Sequence, residues 1–117
     1  LTLVLPVLRP ELVPEALSAG RATLAVRIPD HPVPRALARH LGPIAVTAAD
    51  PGATAPSRTA TELVAVAGAS LALVLDAGPV RDGVPSTVVQ VDADDRCIVL
   101  REVALEAADI LAVAGPA

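Results

Sequence analysis

The sequence predicts an α/β fold. Short aliphatic runs bounded by turn residues alternate with segments that carry helix start and stop signals, and the last two runs flank a polar turn. A length of 117 residues suits one domain. Hydrophobic residues make up 53% of it, enough for a packed core. That core must be aliphatic, because the chain holds no Phe, Trp, Tyr or Met. Twelve prolines and seven glycines keep the elements short.

Leu1 to Leu5 opens the chain as an apolar strand. Glu11 to Ser18 is a helix candidate, interrupted by Pro14 and stopped near Gly20. Ala22 to Ile28 alternates and reads as the next strand. Pro34 to Leu41 reads as a helix, with proline in its first turn and Gly42 as its stop. Ile44 to Thr47 is a short apolar strand. Thr59-Ala60-Thr61-Glu62 has the form of a capping box, and it opens a helix through Ala67 with Gly68 behind it. Leu71 to Leu75 is apolar throughout, as a buried strand is. Ser86 to Val91 and Cys97 to Arg101 read as a hairpin around Asp92-Ala93-Asp94-Asp95-Arg96. Leu105 to Val113 reads as a last helix, ending before Gly115-Pro116. Ala22–Ile28, Leu71–Leu75 and Ser86–Val91 are the expected core strands.

The net charge is −4, with no basic run and no aromatic side chain on which a base could stack. Both features argue against direct nucleic-acid binding. All nine basic residues are Arg, a bias that GC-rich coding explains without a functional cause. Cys97 is the single cysteine, so there is no internal disulfide and no thiolate cluster for zinc. Its apolar run, Cys97-Ile98-Val99-Leu100, reads as a buried structural thiol. His31 and His40 lack metal-ligand spacing. Asp92, Asp94 and Asp95 lack the glycine and distal Glu of a calcium loop. No metal site is expected. No apolar run approaches the ~18 residues of a membrane span, and Leu1 to Pro6 lacks the basic flank of a secretory signal. A cytoplasmic location is therefore expected. The chain begins without Met inside an apolar run, which reads as a truncated start.

Ordered local strings carry the reading further. They are Leu1-Thr2-Leu3-Val4-Leu5-Pro6, Ala25-Val26-Arg27-Ile28-Pro29-Asp30-His31-Pro32, Asp76-Ala77-Gly78-Pro79, Gly83-Val84-Pro85-Ser86-Thr87-Val88-Val89 and Leu100-Arg101-Glu102. In this order they resemble the back part of the YrdC/Sua5 family, the ATP-dependent enzymes that make threonylcarbamoyl-adenylate. The resemblance runs from Leu1 to Leu105. It implies a YrdC-like twisted mixed sheet with flanking helices, with the N-terminal portion missing and residues 1–117 forming a partial domain. It also implies ATP as a substrate with Mg2+, and L-threonine and bicarbonate as its partners. Threonine and bicarbonate give a carbamate, which attacks the α-phosphate and releases pyrophosphate, and the product serves t6A modification of tRNA. Such a reaction needs fixed cations and donors around the phosphoryl centre and a clamp on the amino acid.

Residue by residue, Arg27 is similar to the family arginine that binds the threonine carboxylate, a task suited to a planar guanidinium. Ser86 is similar to the serine on the threonine side. Thr23, Thr47, Thr87 and Arg101 match positions on the ATP side, with Arg101 facing the phosphates. Taken without the resemblance, Arg27 and Arg101 are surface arginines at strand ends, and the Thr residues are ordinary β-branched strand residues. The resemblance implies that Arg27, Ser86 and Arg101 converge on one concave face with Thr47 nearby.

Departures stand beside the matches. The family's "TSAN" loop is Thr47-Ala48-Ala49-Asp50 here, so a hydroxyl is lost at Ala48 and a negative charge arrives at Asp50. Asp50 opposes phosphate electrostatically, or neutralises one of the arginines in an ion pair. The final glycine of the family's "LRxG" is Val103. The family's lysine-x-arginine motif lies upstream of the matched region, and this chain has no Lys. Three functions follow: a threonylcarbamoyl-adenylate synthase-like domain, a non-catalytic nucleotide- or partner-binding paralogue, or the YrdC-like domain of a carbamoyltransferase.

Overall fold

A computed structural model describes residues 1–47, 56–80, 84–92 and 94–114. In chain order the elements are β1 (Thr2–Pro6), α1 (Glu15–Ser18), β2 (Thr23–Val26), α2 (Pro32–Leu41), α3 (Ala60–Ala67), β3 (Val88–Val91), β4 (Cys97–Arg101) and α4 (Ala107–Ala114). They fall into two compact units, Leu1–His31 with Val84–Ala117, and Pro32–Gly83.

The first unit is built on a four-stranded mixed sheet of order β2-β1-β3-β4. β1 pairs antiparallel with β2, Leu3 opposite Val26 and Pro6 opposite Thr23. β1 pairs parallel with β3, Thr2 opposite Val88 and Val4 opposite Gln90. β3 and β4 form the predicted hairpin, with Val88 opposite Arg101, Val89 opposite Val99, and a register shift between Val88 and Val89. Leu100 is thus the extra residue of a bulge, which bends the strand end and re-aims its side chains. The hairpin turn is held by Asp92, whose Oδ1 accepts from the backbone N–H of Asp94 at 2.9 Å and of Arg96 at 2.9 Å. Asp95 sits at φ 61°, a left-handed position that Asp tolerates.

The core of this unit lies along β3. Among the described residues Val89, Ser86 and Thr87 are the buried ones. Val89 is 1% exposed, so Val89→Ala deletes two fully buried methyl groups. We expect it to lower stability by about 2 kcal/mol, measured as a shift of the urea midpoint.

Pro14 divides the segment predicted as one helix. A 3-10 turn covers Pro10–Leu12 and α1 follows it, ending at Ala19 with φ 50°. At the other end, α4 begins at Ala107, after the predicted Leu105. The cause is a competing hydrogen bond: both the N–H and the carbonyl of Leu105 are engaged by the Thr87 hydroxyl. Glu102 Oε1 then accepts from the N–H of Ala107 at 3.1 Å, serving the first turn of the helix.

In the second unit α2 stops as predicted at Gly42, which sits at φ 81° and donates its N–H to the carbonyl of Ala38 at 3.0 Å. The capping box at α3 forms in a shifted version. Thr59 Oγ1 accepts from the Glu62 N–H at 3.2 Å, while Glu62 Oε2 accepts from Arg58, one residue before the cap. Thr59→Ala should cost about 1 kcal/mol, read as a loss of α3 amide protection in hydrogen exchange. Two predicted strands do not form: Ile44–Thr47 and Leu71–Leu75 lie outside any strand. A strand needs a neighbour for its backbone groups, and no described residues pair with either segment. Leu73 is 76% exposed, so this part of the apolar run is not a core strand.

Candidate functional site

The residues gathered by the fold lie at one end of the four-stranded sheet, where β1 begins and β4 ends. Parallel pairing sets Thr2 beside Val88, and antiparallel pairing sets Arg101 beside Val88 on the other side. Ser86 and Thr87 lead into β3 at that same end. Three groups hold this pair of residues.

The first is Arg101. Its Nε and Nη2 donate to the carbonyl of Ser86 at 3.2 Å and 2.7 Å. A planar fork is needed to reach one oxygen with both donors, and the bulge at Leu100 places Arg101 opposite Val88 for it. The second is Thr2. Its N–H donates to the carbonyl of Thr87 at 2.9 Å, and its hydroxyl lies 2.7 Å from the Ser86 hydroxyl. The third is the 103–105 segment. Thr87 Oγ1 donates to the carbonyl of Leu105 at 3.0 Å, and it accepts from the N–H groups of Val103 at 3.1 Å and Leu105 at 2.8 Å.

These bonds give the two hydroxyls different capacities. A hydroxyl offers one proton and two lone pairs. Thr87 is 0% exposed and has spent all of these on backbone groups. Ser86 is 8% exposed and, among the described residues, shares its hydroxyl only with Thr2, so it keeps bonding capacity for another atom. Arg101 retains the Nη1 edge of its guanidinium after serving the Ser86 carbonyl.

Arg27 follows the last residue of β2, and Val26 is opposite Leu3. Continuing that register by one residue sets Arg27 beside Thr2. Arg27, Thr2, Val88 and Arg101 then form one row across the sheet end, about 14 Å from first to last at ordinary strand spacing. Arg27 is exposed and forms no hydrogen bond or ion pair with a described residue. Thr23 is not part of the row: it faces Pro6, at the opposite end of β1. Thr47 belongs to the second unit, exposed and outside any regular element. Ala48, Asp50 and Gly83 lie outside the described residues, and so does any pairing of Asp50 with an arginine.

The second unit has a separate hollow of about 280 Å³, lined by Arg58, Thr59, Leu63, Val74, Asp76 and Gly78 among others. Its Asp76-Ala77-Gly78 wall closes on itself, since Asp76 Oδ1 accepts from the Gly78 N–H at 2.9 Å. Among the described residues no group of three or more His, Cys, Asp or Glu could hold a metal ion. No helix among them is long and apolar enough to cross a membrane.

Thr2 is the member of the site that sequence reasoning missed. It sits in an apolar strand, and nothing local indicates a hydroxyl partner 84 residues away.

Comparison with known proteins bears on the same strands. The Sua5/YciO/YrdC family model, described as "Telomere recombination", matches residues 1–103. A threonylcarbamoyl-AMP synthase of Bacillus subtilis (strain 168) is 41% identical over 118 residues, covering 99% of this chain and 33% of that protein. The chain thus spans about a third of the length of the curated relative it matches. No solved structure gives a significant match.

Proposed function

Because the chain belongs to the Sua5/YciO/YrdC family, we propose that it forms part of a threonylcarbamoyl-AMP synthase, which joins ATP, L-threonine and bicarbonate and releases pyrophosphate. The observation that carries this reading is the sheet end itself, where Arg27, which has no hydrogen-bond or ion-pair partner among the described residues, shares a row with Arg101 and with a Ser86 hydroxyl that has capacity left. Two guanidinium groups in an acidic chain, facing one sheet end, suit an anionic ligand. In the proposal Arg27 grips the threonine carboxylate and Ser86 donates to the same substrate. Arg101 fixes Ser86 and turns its remaining edge to phosphate. Thr23 and Thr47 stay on the nucleotide side on the strength of the family resemblance alone. Thr87 holds the 103–105 turn and leaves the ligand to its neighbours. Mg2+ arrives with ATP, coordinated by its phosphates. The setting is cytoplasmic, and the product feeds t6A modification of tRNA.

The chemistry asks the protein for placement and charge. The amine of threonine adds to the carbon of bicarbonate with loss of water, giving a carbamate. A carbamate oxygen attacks the α-phosphorus, the α–β phosphoanhydride bond breaks, and pyrophosphate carries off the electron pair. The test is threonine- and bicarbonate-dependent pyrophosphate release by a polypeptide that carries this chain together with the family's lysine-x-arginine motif. We expect release there, and none above background from the 117-residue chain alone, which has no Lys to meet the phosphates. Robust release by the isolated chain would show that the motif is dispensable. No release by the longer polypeptide would favour the second reading, a non-catalytic nucleotide-binding paralogue, to which Ala48 and Asp50 already point.

A further inference from the structure

We propose that Thr2 is a positioning residue for the amino-acid substrate, acting through Ser86. The inference rests on the synthase reading above. Thr2 and Ser86 place their hydroxyl oxygens 2.7 Å apart across 84 residues of sequence. The contact is fixed by backbone as well, since the Thr2 N–H donates to the carbonyl of Thr87 at 2.9 Å. Of the Ser86-Thr87 pair, Thr87 has no bonding capacity left, so one usable hydroxyl remains. Its direction is decided by the proton it shares with Thr2.

When Thr2 donates, the Ser86 proton is free for an acceptor. When Ser86 donates, it offers only lone pairs. Arg101, seated on the Ser86 carbonyl, settles the choice. Its charge favours an anionic oxygen at this spot, and that oxygen needs a donor. The arrangement is a relay, Thr2 O–H to Ser86 Oγ, and Ser86 O–H to a carboxylate oxygen of the amino acid, each bond polarising the next. A side chain without a hydroxyl at position 2 leaves Ser86 free among its rotamers and unaimed.

The experiment is calorimetry of L-threonine and ATP binding on the polypeptide that carries this chain, in wild type, Thr2→Val and Thr2→Ser, with a melting curve for each. Thr2→Val should weaken L-threonine binding roughly ten-fold and leave ATP within about two-fold, because one hydrogen bond to an ionic ligand loses its aim. Thr2→Ser should bind as wild type does. In a Ser86→Ala background Thr2→Val should have no further effect on threonine. Where Thr2→Val does not melt cooperatively, Thr2→Ala takes its place with the same outcomes. Unchanged threonine binding in the hydroxyl-free variant, a loss of both ligands alike, or an additive effect with Ser86→Ala overturns the inference. Wild type that binds no L-threonine overturns the synthase reading instead, which keeps the two failures apart.

Discussion

Thr87→Val is expected to lower folding stability by about 3 kcal/mol, while Thr87→Ser costs less than about 1 kcal/mol. Valine keeps the shape of threonine, so no cavity explains the loss. What disappears is the oxygen that accepts from the N–H groups of Val103 and Leu105 and donates to the Leu105 carbonyl. Each buried group left without a partner costs roughly 1 to 3 kcal/mol. The backbone of 103–105 lies partly open to water, with Leu105 42% exposed, so the loss falls short of three full penalties. Urea unfolding of both variants separates hydroxyl from shape. A Thr87→Val midpoint equal to wild type would mean that water replaces the hydroxyl and that Thr87 is not the clasp of this turn.

The second expected result concerns ligands. Arg101→Ala should weaken both L-threonine and ATP by roughly ten- to a hundred-fold, the scale of a lost charge-assisted hydrogen bond. Family resemblance places Arg101 on the phosphates alone. The structure adds its fork on the Ser86 carbonyl, so its removal also loosens the residue assigned to threonine. Arg101→Lys should rescue little, because an ammonium cannot reproduce two parallel donors from one plane. Arg27→Ala should weaken threonine by a similar factor and leave ATP within about two-fold, since Arg27 is exposed and forms no hydrogen bond or ion pair with the described residues of the β3 entry. Titration of both ligands into each variant tests the division. Equal losses of both ligands from both substitutions would refute it.

Much of the fold was legible because it is written in local signals. The hairpin of β3 and β4 follows from two β-rich runs around an Asp-rich turn, and Asp92 holds that turn. Thr59 opens α3 and Gly42 closes α2 where the capping and stop signals lie. The failures were of another kind. Leu71–Leu75 has the composition of a buried strand, yet composition does not supply a partner, and no described segment pairs with it. Leu105 carries a good helix pattern and loses to the Thr87 hydroxyl, a contact between residues 18 positions apart. The site divides the same way. Arg27, Ser86 and Arg101 were marked by family strings. The seat of Arg101 on a carbonyl, the saturation of Thr87 and the pairing of Thr2 are tertiary facts with no local trace.

The parallel pairing of β1 with β3 also sets a timetable for folding. β1 and β2 are near neighbours in the chain and can pair as soon as both have been synthesised. The other edge of β1 waits for Val88, and Thr2 waits for a hydroxyl 84 residues later. At about 5 to 20 residues per second, translation leaves β1 open on that side for roughly 4 to 17 seconds. Closing so long a loop costs about 4 kcal/mol of chain entropy before any bond forms. During that interval the nascent chain shows an aliphatic strand with an unpaired edge, the feature most prone to pair with another molecule. Ribosome-bound chains halted before Val88 should therefore recruit holdase chaperones, and chains halted well beyond Arg101 should release them.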